Sequence, residues 1–262
     1  MVIGINGKIG SGKDTIGKII QYLVANENLP KDMQYQSFEE LDHAVEAYSN
    51  FKIKKFAGKL KTIASLLTGI PVEKFEDQEF KKTNLPEHWN TLQQSGRNKV
   101  SLPMTVRELL QKLGTEAMRD GLHTNVWCNA LFADYNSIDK LIRITEEGLE
   151  EWEEGNYPNW IITDMRFPNE MDSVKERGGI TIRVVRYPKT VEVSRGPKDI
   201  EIVPFNPTNQ KHMDLWKGDS SRMHASETAL DDAKFDYEID NNGTLEDLIE
   251  KVREILIKES II

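Results

Sequence analysis

A single cysteine, Cys128, is the whole thiol complement of this chain. It excludes an internal disulfide, so a reducing cytoplasm is the expected setting. No apolar run approaches the length of a membrane span. The N-terminal residues also lack the basic and apolar regions of a secretory signal, so neither a membrane nor an export route is expected. Positive charge is in deficit. With 34 Lys and Arg against 43 Asp and Glu, the formal charge is −9, which argues against a broad nucleic-acid surface. A single anion-binding cleft remains compatible with that balance. Internal repeats and low-complexity tracts are absent too. What is present is ordinary for a globular protein: 38% hydrophobic and 29% charged over 262 residues. That length suits one large α/β domain or one domain carrying an insertion.

Residues 2–6 read as a short buried strand, followed by a glycine-rich turn and a helical pattern over 13–25. Residues 27–50 are polar and loosely helical. A second strand is expected at 51–56 and a helix at 57–67, while 77–102, rich in charge, Asn and Gln, reads as a surface insertion. Val106, Leu109, Leu110, Leu113 and Ala117 recur at helical spacing. Further helices are expected at 126–135 and, as an acidic one, ending near Gly155. A third buried strand at 160–163 leads to a helix beginning near Pro168 and ended by Gly178-Gly179. Residues 180–186 alternate as a fourth strand.

The next stretch, 187–223, is broken by Pro188, Gly196-Pro197, Pro204, Pro207 and Gly218, and reads as a mobile excursion or a small subdomain. Within it, 188–222 is a candidate lid carrying Arg195 and Arg222. A fifth strand at 237–240, the turn Asn241-Asn242-Gly243 and a final helix capped by Thr244 and Asp247 complete the chain. Strands separated by helices imply a mostly parallel sheet flanked by helices.

Gly7-Lys8-Ile9-Gly10-Ser11-Gly12-Lys13-Asp14-Thr15 matches the G-x-x-x-x-G-K phosphate loop in spacing and in its strand-to-helix context. Glycines let the backbone wrap a polyphosphate with N–H groups aimed at its oxygens. The helix starting at Lys13 adds its positive dipole end, and Lys13 itself supplies a point charge. One departure stands out. Asp14 occupies the position where such loops carry Ser or Thr, and Thr15 follows. Thr15 is then the candidate hydroxyl for magnesium, with Asp14 reaching the metal through water or orienting Lys13. The bland alternative is a glycine-rich turn without a ligand.

Asp164 follows the third strand at the carboxyl edge, where open α/β sheets place ligands and where phosphate-loop enzymes keep a carboxylate for magnesium. An ordinary turn aspartate explains it as well. Arg166 and Glu170 are four apart: a surface ion pair, or a phosphate-binding arginine oriented by a carboxylate. Arg107 and Gln111 share one helix face, either solvated or offering a guanidinium fork for phosphate and an amide for a base edge. Trp127 is a core residue or a stacking platform for a base. Arg183 and Arg186 fit solvent-facing strand positions, while His224 and Glu227 fit packing or capping.

In this order the motifs resemble the bacteriophage deoxynucleoside monophosphate kinases of the P-loop kinase superfamily. The resemblance rests on Gly-Lys-Asp-Thr in the loop, on Phe56-Ala57-Gly58-Lys59-Leu60-Lys61, and on Arg107-Glu108-Leu109-Leu110-Gln111-Lys112-Leu113-Gly114. It continues through Trp127, Asp164-Met165-Arg166-Phe167-Pro168-Asn169-Glu170 and His224-Ala225-Ser226-Glu227, spanning residues 1 to about 255. It implies a P-loop kinase fold in one domain over 1–262, and an ATP- and magnesium-dependent enzyme that makes deoxynucleoside diphosphates as a homodimer in the host cytoplasm. Carried over, Gly7, Gly10, Ser11, Gly12, Lys13, Asp14 and Thr15 hold ATP and its metal. Arg107, Gln111 and Trp127 bind the monophosphate, with Asp164, Arg166 and Glu170 completing the centre. A monophosphate is already an anionic nucleophile, so the chemistry asks for positioning and charge rather than a strong base. Two other readings stay open at this point. One is a kinase of another small acceptor, such as dephospho-coenzyme A or a sugar acid. The other is a nucleotide-driven switch, although the Asn-Lys-x-Asp guanine reader is absent from the sequence.

Overall fold

The computed structural model describes residues 1–41, 43–95, 98–137, 140–145, 148–153, 155–196, 199–217 and 228–262. Packing divides the chain into two compact units: Met1–Lys54 with Ser137–Ile262, and Lys55–Asn136, inserted between them in sequence.

The first unit is built on β1 (Val2–Gly7), β2 (Phe51–Lys54), and, beyond the insertion, three further strands of the same sheet. Its helices before the insertion are α1 (Lys13–Asn28) and the short α2 (Val45–Ser49). The second unit holds α3 (Ala57–Thr68), a hairpin of β3 (Thr91–Ser95) and β4 (Asn98–Leu102), then α4 (Val106–Gln111) and α5 (Val126–Phe132). Between α4 and α5 the helix widens into π geometry over Lys112–Asp120. The chain then returns to the first unit with β5 (Lys140–Thr145), β6 (Gly148–Glu153), β7 (Asn159–Ile162), α6 (Pro168–Lys175) and β8 (Ile180–Val185). It ends with β9 (Thr190–Gly196), β10 (Asp199–Pro204), α7 (Gln210–Lys217), β11 (Tyr237–Asp240) and α8 (Leu245–Lys258).

The main sheet has the order β11-β8-β1-β7-β2, and every pairing in it is parallel. Helices flank it, in accord with a P-loop kinase fold. Val2, Ile3 and Ile5 of β1 are all but inaccessible to water, as a central strand covered on both faces requires. Ile16, Ile19, Ile20 and Leu23 of α1 and Leu248, Val252, Ile255 and Leu256 of α8 join these strands in one core. Their spacing by three, four and seven residues gives each helix one apolar stripe. The connection after β1 leads to one side of the sheet and that after β7 to the other, so the carboxyl ends of these adjacent strands form the topological switch point where open sheets bind ligands.

Two expectations change. The acidic segment before Gly155 is the antiparallel hairpin β5–β6, not a helix. Its register sets Lys140 opposite Glu153 and Arg143 opposite Glu150, and Leu141, Ile142, Ile144 and Thr145 favour strand. The polar stretch 77–102 is not wholly surface. Leu85 is buried with Phe75, Val106 and Leu109, and Phe80 packs against them. The excursion after β8, for which a small subdomain was one of two expectations, carries the hairpin β9–β10 followed by α7. Tyr187 stacks on Phe205 at 5.3 Å, Trp216 meets Tyr187 edge-on at 5.0 Å, and the Lys8 ammonium lies 5.0 Å from the Trp216 ring centroid. Arg222 and the motif at 224–227 lie outside the described residues.

Candidate active site

The loop after β1 turns into α1 through Gly12, whose left-handed φ of 100° serves as the helix N-cap. Lys13 folds back over its own loop: its Nζ donates to the carbonyls of Gly7 at 2.6 Å and Lys8 at 2.9 Å. The ammonium is thereby held within the glycine-rich turn. The Ser11 hydroxyl is buried, and its Oγ has no hydrogen-bond partner among the described residues. A buried hydroxyl left unmatched costs about 1–3 kcal/mol, so its presence inside this loop fits a site built for an oxygen-rich ligand.

Asp14, the residue that departs from the usual loop, accepts a 2.7 Å hydrogen bond at Oδ1 from the Thr163 hydroxyl. Thr163 directly follows β7 and is almost wholly buried. This bond ties the start of α1 to the strand end that presents Asp164, which is partly exposed. Thr15 is also partly exposed. Asp14, Thr15 and Asp164 thus supply hard oxygen donors at adjoining carboxyl ends of β1 and β7, the donor type magnesium takes.

The segment after Asp164 is fixed from two sides. Asn6 Nδ2 donates to the Met165 carbonyl at 2.8 Å, and Met165 N donates to the Ile5 carbonyl at 3.3 Å. Glu170, buried in α6, accepts the main-chain N–H of Arg166 at 2.7 Å and of Phe167 at 3.1 Å. The sequence suggested that Glu170 orients the Arg166 guanidinium. These two bonds run to the backbone, half of a capping box that Phe167, lacking a side-chain acceptor, cannot complete. Glu170 therefore shapes the turn that carries Asp164 and Arg166. Arg183 is committed to packing, donating to the carbonyls of Leu230 and Asp231 and lying over the Phe235 ring.

In the second unit, Thr105 caps α4 and Glu108 returns to the Thr105 N–H at 2.7 Å, a complete capping box. The bonds from Thr105 hold the Glu108 carboxyl below its ordinary range. Arg107 and Gln111 share a face of this short helix and are partly exposed. Arg107 Nη2 donates to Gln78 Oε1 at 3.2 Å, a partner that nothing in the polar stretch advertised. No described residue makes a hydrogen bond to the Gln111 amide.

Trp127 is 5% exposed, and its Nε1 donates to the Gly114 carbonyl at 2.8 Å. That is the packing half of the alternative left by the sequence. Gly114 is closely packed there: a Cβ would lie 2.9 Å from Leu60 Cδ2, so the leucine would have to shift. Three separated motifs thus converge on one glycine. Nearby in sequence to Leu60, the mostly buried Lys61 ammonium meets Glu76 Oε1 at 2.5 Å.

A family model described as deoxynucleotide monophosphate kinase matches residues 47–195, more than half of the chain. The chain belongs to the deoxynucleotide monophosphate kinase family. It is accordingly a nucleotide kinase, and the other-acceptor and switch readings are not favoured. Comparison with curated protein sequences finds no match. The matched stretch contains Arg107, Gln111, Trp127, Asp164, Arg166 and Glu170 but not the phosphate loop. The family match therefore does not rest on the loop, whose geometry is a separate observation. No helix among the described residues is long and apolar enough to cross a membrane.

Proposed function

We propose that this deoxynucleotide monophosphate kinase transfers the γ-phosphoryl group of ATP to a deoxynucleoside monophosphate, giving the diphosphate and ADP. The observation that carries the nucleotide half is the loop of residues 7–15, with Lys13 held within it and the Ser11 hydroxyl buried beside it. Its backbone N–H groups and Lys13 hold the β- and γ-phosphates, and Lys13 meets the charge that develops on transfer. Thr15 and the carboxylates of Asp14 and Asp164 would hold magnesium, which when bound neutralises phosphate oxygens. Arg166 grips phosphate, and Glu170 keeps its backbone in place.

For the acceptor, Arg107 clamps the monophosphate while the Gln111 amide reads the base edge, since it can both donate and accept. Trp127 supports their helix from below through Gly114. The acceptor phosphate attacks the γ-phosphorus as its bond to the β-bridging oxygen breaks, and no proton need leave the nucleophile. Residues 188–222 act as a lid that excludes water, the competing acceptor. We further infer a homodimer working in the cytoplasm, that of the host if the chain is phage-encoded.

The test is turnover of ATP and magnesium with each common deoxy- and ribonucleoside monophosphate, run beside dephospho-coenzyme A. Phosphorylation of one or more deoxynucleoside monophosphates is expected. Turnover with dephospho-coenzyme A alone, or none with any nucleotide, would overturn the reading.

A further inference from the structure

The turn after β11 lies against the phosphate loop, although 230 residues separate them in sequence. Asn241 Nδ2 donates to the Ser11 carbonyl at 2.8 Å. The same nitrogen would stand 2.5 Å from a Cβ added at Gly12, so the side chain rests directly on the glycine where loop becomes helix. Asn241 is itself anchored, its N–H donating to the Val185 carbonyl at 2.8 Å at the end of β8. Next to it, Asn242 Oδ1 accepts the Tyr187 N–H at 2.8 Å, where the excursion begins. One two-residue turn therefore fastens β8, β11, the root of the excursion and the phosphate loop.

We propose that Asn241 is a positioning residue for the triphosphate, acting through the Ser11–Gly12 peptide. In a planar trans peptide the C=O and the following N–H point in opposite directions. Drawing the Ser11 carbonyl toward Asn241 aims the Gly12 N–H away from Asn241, and we assign that N–H as a phosphate donor. A glycine at a left-handed φ has many alternatives, so without the amide bond this peptide samples other orientations. Held in place, the donor meets the phosphate without reorganisation. This rests on the reading that ATP occupies the loop. Two features of the sequence acquire a joint reason, since Gly12 needs both its φ and the room that Asn241 takes.

The experiment compares wild type, Asn241→Leu, which keeps the shape but removes the donor, and Asn241→Asp, which keeps the acceptor only. For each, the Michaelis constants for ATP and for the best acceptor, equilibrium binding of ATP and the melting temperature are measured. Removing one loop-ordering hydrogen bond is expected to weaken ATP binding about tenfold in both variants, with the acceptor constant changed less than about twofold. Melting temperatures should stay close to wild type. Unchanged ATP affinity in both variants would overturn the proposal, as would equal losses for ATP and acceptor. Failure of both variants to fold would likewise overturn it, in favour of a purely structural amide. Lys13→Ala separates this from the broader reading. If wild type binds ATP and Lys13→Ala does not, while Asn241→Leu binds normally, the loop holds ATP and only Asn241's role fails. If wild type binds no ATP, the function reading itself fails first.

Discussion

In the loop between β1 and α1, the main determinants lie within residues 7–15: the left-handed Gly12, the buried Ser11 and a lysine bonded to its own loop's carbonyls. On α4 of the second unit, by contrast, the presentation of Arg107 and Gln111 depends on residues far along the chain. Gln78 orients Arg107, and Trp127 and Leu60 both close on Gly114, where the helix has widened into π geometry. A phosphate is recognised by backbone groups whose directions local dihedrals largely set, so a short motif fixes most of the loop and distant residues, Asn241 and Thr163, only brace it. A base and its phosphate are recognised by side chains, and their placement depends on what packs beneath.

The contrast is broken most directly at Lys13. Lys13→Ala is expected to lower turnover by about 100- to 1,000-fold or more, with little change in melting temperature, because the loss is confined to transition-state charge. Near-normal turnover in a folded variant would remove the loop from the chemistry. At Trp127 the opposite pattern should appear. Trp127→Ala should cost about 3–5 kcal/mol of stability. Trp127→Phe, which mainly loses the bond to Gly114, should cost about 1 kcal/mol, or a few degrees of melting temperature. In Trp127→Phe both Michaelis constants should hold. A selective rise in the acceptor constant of either variant at normal melting temperature would return the indole to the base pocket.

Arg107→Ala sharpens the acceptor side. Loss of a charge-assisted phosphate contact should raise the acceptor Michaelis constant about ten- to a hundredfold for every base, leaving that for ATP unchanged. Gln111→Ala should instead reorder the bases, read from the same substrate panel. A uniform effect from Gln111, or a base-dependent one from Arg107, would exchange their roles.

The smallest effect concerns Glu76 in the second unit. Burial by itself raises its carboxyl, but the hydrogen bonds and charges of Lys61 and Lys55 outweigh it and the net position is below the ordinary 4.5. A folded value below the unfolded one adds stability that is present above about pH 4.5 and lost as pH falls through the folded value. Glu76 is half exposed, so the gain is modest. Wild type should melt slightly higher than Glu76→Gln at neutral pH, and the curves should converge in acid. A gap that persists to low pH would assign the difference to packing.

Legibility in the sequence followed the range of the interactions. The phosphate loop, the five core strands and Pro168 at the start of α6 are readable because each is fixed by near neighbours and by periodicity. The β5–β6 hairpin was not, because acidic composition masked an alternation that only pairing with a second strand stabilises. Gln78 and Asn241 carried no signal beyond polar residues in polar surroundings. Glu170 was visible, but its work on the backbone of Arg166 and Phe167 was not.

The sequence by itself determined the chemistry available: a glycine-rich turn with a lysine, oxygen donors at the strand ends, and an arginine and an amide one helical turn apart. Those choices are local, since backbone dihedrals, helix spacing and strand alternation depend on a few adjacent residues. Tertiary structure decided which polar groups support others and which remain for ligands. Asp14 is tied to Thr163, Ser11 to Asn241 and Arg107 to Gln78. Hydrogen bonds act over about 3 Å, and only the folded chain brings residues so distant in sequence within that reach.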